Sequence, residues 1–150
     1  MNNFLWLDDD DNRVRLPIFG NFAKTSQVCI EILKNNKIEY ISLDHDLGDA
    51  KLVGEGYDVI LWIEEALYTN ACGETDYFIP SYYNVHSLNG PASKRMFDGL
   101  EYLQEVYPHI VKLIYAIPYK NGSTYNILEQ TYYKNKGTQY DAERRQSKQM

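Results

Sequence analysis

The sequence predicts one α/β domain with a small, doubly wound parallel sheet, arranged as a three-layer sandwich. Short apolar segments alternate along the chain with amphipathic helical segments, which is the pattern of βαβ units. Each apolar segment that precedes a helix ends abruptly in polar residues, as a buried parallel strand does at its carboxyl end. The length of 150 residues suffices for one hydrophobic core and not for two.

Four strands are predicted from apolar and β-branched runs. They cover residues 4–7, 38–43, 82–85 and 110–117. The first ends at four aspartates, and Pro118 ends the last. Right-handed crossovers between parallel strands then give a flavodoxin-like sheet.

Three helices are predicted between these strands. The first starts after Thr25 or Ser26 as N-cap and ends near residues 35–36. The second covers residues 57–68, where apolar positions recur at helical spacing. The third carries apolar positions from 96 to 107, with Asn89 or Gly90 as cap and Pro91 in its first turn.

The composition is that of an ordinary globular protein, with 44% hydrophobic and 24% charged residues. A net charge of −6 argues against nonspecific nucleic-acid binding, which needs Lys and Arg to neutralise phosphates. The chain shows neither a signal-peptide pattern nor a long apolar span, so we expect a cytoplasmic protein without a membrane partner. Cys29 and Cys72 lie far apart, which suggests neither a disulfide framework nor a zinc ribbon.

The polarity of the chain changes near residue 120. We therefore expect the α/β domain to cover residues 1–120. Residues 121–150 then form a polar, Tyr-rich extension, and its last ten residues have almost no apolar side chains. The end of this extension is expected to be frayed.

Polar clusters follow all three strands that precede a helix. They comprise Asp8 and Asp9, then Asp44, His45 and Asp46, then His86, Ser87 and Asn89. In open parallel sheets, ligands bind outside the carboxyl ends of the strands, so we expect one shared site. Taken singly, each cluster also fits a solvated acidic turn, an Asx turn or a helix cap. Their coincidence favours function, because folding alone does not require it.

The residue types in these clusters suit acid–base and metal chemistry. The catalytic candidates are His45, His86, Asp44 and Asp46. Crowded carboxylates repel one another unless a cation or hydrogen-bond donors neutralise them. Oxygen ligands from Asp8, Asp9 and Asp46 suit Mg²⁺ or Mn²⁺, so a divalent metal is a candidate cofactor.

The third helix begins directly after the last of these clusters. Its free backbone N–H groups and positive dipole end would therefore face the same crevice and seat a phosphate. Candidate phosphate-binding residues there are Ser87, Asn89, Ser93, Lys94 and Arg95. Lys94 and Arg95 also fit a plain solvated helix surface.

Several of these segments together resemble one family. They are Leu-Asp-Asp at 7–9, Ser-Leu-Asp-His-Asp-Leu-Gly at 42–48, Gly-Tyr-Asp-Val-Ile-Leu-Trp-Ile at 56–63 and His-Ser-Leu-Asn at 86–89. The chain is thereby similar, over residues 4–117, to the cyclic-phosphate-processing receiver-like domain of bacteria and phages. The resemblance implies a receiver-type fold and the processing of cyclic phosphates of nucleotide derivatives, such as ADP-ribose cyclic phosphate. It implies Asp8, Asp9, Asp44, His45, Asp46, His86 and Ser87 as site residues.

The chain departs from the family pattern at two loops. The family tends to have Arg and then Pro soon after Leu-Asp-Asp, and here Arg13 or Arg15 with Pro17 must fill those places. Arg13 thus joins the phosphate-binding candidates. Gly90 and Pro91 stand in the reverse of the family order. These departures bear on the substrate more than on the fold.

Three functions remain open from the sequence. The leading hypothesis is a phosphoesterase that opens or hydrolyses a cyclic phosphate, with His45 or His86 as general acid–base. The second is a binding module without turnover, a sponge or sensor for a phosphorylated nucleotide, which could counter host signalling if encoded by a phage. The third is a receiver-like interaction domain in which the acidic pocket controls docking of a partner.

Overall fold

Five parallel strands form the centre of the structure, a computed structural model that describes residues 3–10, 20–118 and 127–137. The strands are β1 (Phe4–Leu7), β2 (Asn21–Ala23), β3 (Tyr40–Leu43), β4 (Tyr82–Val85) and β5 (Leu113–Tyr115). Their order in the sheet is β2-β1-β3-β4-β5. The helices are α1 (Ser26–Asn35), α2 (Ala50–Val53), α3 (Gly56–Ala71), α4 (Gly90–Val106) and α5 (Ile127–Asn135).

The strand order explains how the helices divide between the faces of the sheet. The connections from β2 to β3, β3 to β4 and β4 to β5 all run in the same direction across the sheet. Right-handed crossovers therefore place α1, α3 and α4 on one face. The opposite face carries α5, which contacts β3 and β4. The doubly wound, three-layer fold predicted from the sequence is thus confirmed.

The two faces of the sheet have different cores. Side chains alternate between the faces along a strand, so Leu5 and Leu7 pack towards the three crossover helices. Phe4, Tyr40 and Tyr82 point to the other face and stack on one another, with ring centroids 4.5 and 4.8 Å apart. Leu128 of α5 is completely buried against this ladder.

The predicted helix boundaries agree closely with the structure. The Thr25 side chain caps α1 by accepting a hydrogen bond from the Val28 N–H at 3.1 Å. Asn89 caps α4 in the same way, accepting from the Ala92 N–H at 3.2 Å, and Pro91 stands in the first turn. For each of these two helices, the cap is the candidate that lies just outside the helix, and the other candidate is the first helical residue.

None of the helices in the described ranges has the length and apolarity that crossing a membrane requires.

Some elements differ from the expectation. The three-residue strand β2 was not predicted, since a segment this short has no readable alternation. The last strand covers Leu113–Tyr115 instead of residues 110–117, because Ile110 lies in a turn closed onto Tyr107. Residues 127–135, part of the expected polar extension, form α5. The expected frayed residues 141–150 lie outside the described ranges.

The first residue of α3 is a glycine because the helix begins against the backbone at the end of β3. A Cβ atom on Gly56 would lie 1.9 Å from the carbonyl oxygen of Asp44. The Gly56 N–H also donates to the His45 carbonyl at 2.9 Å. This contact fixes the backbone that carries the polar residues after β3.

We expect Gly56→Ala to lower the free energy of unfolding by about 1–3 kcal/mol, because the added methyl group forces the Asp44 backbone to move. Gly90, the first residue of α4, has open space around its Cβ position. Gly90→Ala is the matched control and should change stability by less than about 0.5 kcal/mol. Urea denaturation of both variants measures the difference. Equal stability of the two would contradict the close approach at Gly56.

Candidate active site

Three side chains meet at the carboxyl edge of the sheet because the register of the strands continues past their ends. Leu7, Leu43 and Val85 are paired neighbours across β1, β3 and β4. The ladder extends by one residue, since the Asp44 N–H donates to the Leu7 carbonyl at 3.0 Å and the His86 N–H to the Leu43 carbonyl at 2.9 Å. The next residue of each strand therefore belongs to one row.

This row consists of Asp8, Asp44 and His86, which we call the carboxyl-edge cluster. Their exposed fractions are only 5%, 4% and 1%. One ligand atom from each lies within 4.8 Å of those of the other two. Two carboxylates and an imidazole are thus held together with little contact to bulk water, where electrostatic interactions are strong.

The imidazole of His86 is held on three sides. Its Nε2 atom lies 3.1 Å from Asp8 Oδ2, and its Nδ1 atom lies 2.8 Å from Ser42 Oγ. The indole of Trp6 stacks on the ring, with centroids 4.1 Å apart and planes 15° from parallel. The imidazole therefore has one fixed orientation relative to the carboxylates.

The carboxylates are also oriented by backbone donors. Asp44 Oδ1 accepts a hydrogen bond from the His45 N–H at 2.8 Å, and Asp8 Oδ1 accepts one from the Asp10 N–H at 3.0 Å. Hydrogen bonds of this kind stabilise the ionised form of a carboxyl group. The cluster is thus arranged in advance of any ligand.

His45 and Asp46 belong to a second, neighbouring group. His45 Nδ1 lies 2.9 Å from Asp46 Oδ1, and its buried Nε2 lies 3.4 Å from Glu55 Oε2 without an aligned hydrogen bond. The Asn89 amide donates to Asp46 Oδ2 at 3.2 Å. The hydrogen bond with His45, which has the larger effect, and the hydrogen bond from Asn89 lower the pKa of Asp46. This group ties the end of β3 to the start of α4.

The phosphate-binding candidates surround the first turn of α4. Buried Ser87 accepts a hydrogen bond from the Asn89 N–H at 3.1 Å. A cavity of about 430 Å³ is lined by Ser87, Ser93 and Lys94, together with the ring of Phe97. Larger in volume is a hollow of about 760 Å³ along α1, but none of the candidate site residues lines it.

Lys94, which lines this cavity, pairs with Asp98 at 3.0 Å. Arg95 is exposed on the surface of α4 and is not among the residues that line the cavity. Asp9 is exposed as well, whereas its neighbour in sequence Asp8 is buried. Arg13 lies outside the described residues.

Sequence reasoning missed two kinds of residues. Ser42 and Trp6 contact His86 directly, and Glu55 lies beside His45 while it caps α3 in a capping box with Asp58. The signals were present in the sequence. Trp6 and Ser42 stand two residues before Asp8 and Asp44, which places them on the same face of the sheet. Glu55 and Asp58 have the spacing of a capping box before an apolar run.

We expect the pKa of Asp46 to lie below its ordinary value of 3.8, because the two hydrogen bonds favour the ionised carboxylate. The variant Asn89→Ser keeps a helix-capping oxygen but removes the amide donor. It should raise the pKa of Asp46 towards the ordinary value, as measured by carbon-detected NMR titration. Asn35→Ser, at an exposed helix position, is the control. An unchanged pKa in Asn89→Ser would contradict the role of this hydrogen bond.

Comparisons with known proteins identify the family. No curated protein and no solved structure matches the chain. A family model described as the cyclic-phosphate processing receiver domain matches residues 3–102 of the 150. The matched span contains Asp8, Asp44 and His86, the whole carboxyl-edge cluster, and most of α4. The chain therefore belongs to the family of cyclic-phosphate processing receiver domains.

Proposed function

We propose that this protein is a phosphoesterase that hydrolyses a cyclic phosphate of a nucleotide or ADP-ribose derivative. The observation that carries this proposal is the buried carboxyl-edge cluster of Asp8, Asp44 and His86, in a chain of this family. Opening a cyclic phosphate requires a group that takes a proton from water and a donor for the charged phosphoryl oxygens. A carboxylate and an imidazole within 4.8 Å of each other can supply both.

The reaction adds one water molecule. A carboxylate of the cluster takes a proton from the attacking water as the new oxygen–phosphorus bond forms. The bond between phosphorus and the ring oxygen breaks, and the carboxylic acid returns the proton to that oxygen. The product is a phosphate monoester with a free hydroxyl group. In this proposal the phosphoryl oxygens that carry the developing negative charge would lie near His86 Nε2, where they would compete with Asp8 Oδ2 at 3.1 Å for its proton.

The start of α4 supports binding of the phosphorylated ligand. Pro91 has no N–H, the Ala92 N–H is capped by Asn89, and the Ser93 N–H donates to the Asn89 carbonyl. The positive dipole end of α4 and the Gly90 N–H are therefore what would favour an anion here. Ser87, Ser93 and Lys94 line the adjoining cavity, whose volume of about 430 Å³ is in the range of small-molecule sites. We propose that the phosphate lies between this cavity and the carboxyl-edge cluster, with the organic part of the ligand in the cavity.

A divalent cation fits the same proposal. Mg²⁺ prefers one or two carboxylates together with waters and substrate phosphate oxygens, and Asp8 and Asp44 are two buried carboxylates whose oxygens lie close together. These two residues would hold the ion. When bound, it would withdraw electron density from the phosphoryl group and offset its charge.

The proposed activity is tested by incubating the protein with a panel of cyclic phosphates, with and without Mg²⁺ or Mn²⁺. The panel contains ADP-ribose cyclic phosphate and cyclic mono- and dinucleotides, and mass spectrometry is the readout. We expect at least one member to gain the mass of one water. A ligand that stays on the protein unchanged would contradict hydrolysis and favour the binding module.

Substitution of His86 should slow turnover more than it weakens binding, because its donor acts on charge that develops during the reaction. We expect His86→Ala to lower kcat by about 10²–10³-fold. Asp44→Asn, which keeps the shape of the side chain, should lower kcat by about 10²–10⁴-fold through loss of the base. His109→Gln, at an exposed position before β5, is the control. Full activity of both site variants would contradict the proposed cluster.

A further inference from the structure

We propose that Ser42 and Asn84 are positioning residues that keep the ring proton of His86 on Nε2. His86 then acts as a hydrogen-bond donor through its Nε2 proton, which Asp8 accepts in this structure and which would pass to a phosphoryl oxygen of the bound ligand. It serves neither as the base nor as a metal ligand. The role of His86 as a donor to a phosphoryl group rests on the proposed function, whereas the position of its ring proton can be measured without any substrate. The inference follows from a chain of hydrogen bonds that crosses the sheet beneath the carboxyl-edge cluster.

The chain of hydrogen bonds starts at Asn84, whose amide is oriented by the backbone of Ile117. The Ile117 N–H donates to Asn84 Oδ1 at 2.9 Å, and Asn84 Nδ2 donates to the Ile117 carbonyl at 3.1 Å. These two contacts decide which end of the amide is oxygen and which is nitrogen. The NH₂ end faces Ser42 Oγ at 3.5 Å. Ser42 therefore meets a donor on this side and not an acceptor.

The orientation of Asn84 directs the hydroxyl proton of Ser42. Ser42 is completely buried, and its Oγ lies between Asn84 Nδ2 and His86 Nδ1, the latter at 2.8 Å. The hydroxyl proton cannot be donated to an amide NH₂ group, and the ring nitrogen can accept it. Ser42 thus donates to Nδ1, which must carry a lone pair.

The state of Nδ1 determines the state of Nε2. An imidazole with a lone pair on one nitrogen carries its proton on the other. Nε2 lies 3.1 Å from Asp8 Oδ2, and a carboxylate oxygen is the acceptor that an Nε2 proton requires. Trp6 stacked on the ring opposes the ring flip that would put carbon atoms in the places of Nδ1 and Nε2. The hydrogen bonds at Nδ1 and at Nε2 thus agree with the same tautomer.

This tautomer limits the chemistry of His86, because it leaves no lone pair on Nε2. A metal ligand or a general base needs a lone pair on Nε2, which would move the ring proton to Nδ1 and turn the Ser42 proton towards the Asn84 amide donor. The structure therefore assigns proton transfer and any cation to the carboxylates Asp8 and Asp44. A neutral imidazole that donates to developing negative charge is a known catalytic device.

The tautomer is measured without substrate, by long-range ¹H–¹⁵N correlation NMR of the ¹⁵N-labelled protein. We expect His86 to show a protonated Nε2 and an unprotonated Nδ1, with the same pattern after addition of Mg²⁺. A proton on Nδ1 would overturn the proposal. Because this readout needs no turnover, it stands apart from the outcome of the cyclic-phosphate panel.

Two variants test the part played by the positioning residues. Asn84→Asp replaces the donor that faces Ser42 by an acceptor, so the Nδ1 signal of His86 should move towards its protonated position, while exposed His109 in the same spectrum stays unchanged. If the cyclic-phosphate panel has identified a substrate, Ser42→Ala should lower kcat by about 10–100-fold, and Ser42→Thr, which keeps the hydroxyl, should restore most of it. A folded Asn84→Asp protein with an unchanged His86 tautomer would overturn the proposal.

Discussion

The parallel register of β1, β3 and β4 is the constraint on which the site depends. Pairing of Leu7, Leu43 and Val85 aligns the three strand ends, so the next residue of each strand falls in one row. A shift of one residue in any strand would turn its side chain to the opposite face. The carboxyl-edge cluster is thus a product of sheet pairing, and the acidic composition of the loops alone would not create it.

On the face of the sheet that bears this cluster, the side chains change from apolar to polar along the strands. At the far end lies the stacked ladder that includes Phe4 and Tyr40, covered by α5. One row closer to the edge, Ser42 and Asn84 form polar contacts within the sheet. The last row is His86 and the carboxylates. Apolar packing therefore anchors the strands, and the middle row supplies the buried hydrogen bonds that orient the imidazole.

The sequence predicted the fold class, most strands and the helix caps, because apolar periodicity and capping residues act locally. It placed polar clusters at the correct edge of the sheet, but it grouped Asp8 with Asp9 and Asp46 as oxygen ligands. The structure brings Asp8 together with Asp44, because these residues directly follow paired strand ends. Asp9 is exposed, and Asp46 lies beyond the end of β3, where it contacts His45 and Asn89. The packing of α5 against Phe4 depends on contacts distant in sequence, which no local pattern reveals.

The central claim is that the carboxyl-edge cluster receives the phosphate of the ligand. A crystal structure with a slowly hydrolysed cyclic phosphorothioate tests this most directly. We expect the phosphorothioate group within hydrogen-bond distance of His86 Nε2, with the organic part in the cavity beside Ser87 and Phe97. A phosphorothioate bound elsewhere on the protein, with His86 and Asp44 contacting nothing of the ligand, would contradict it.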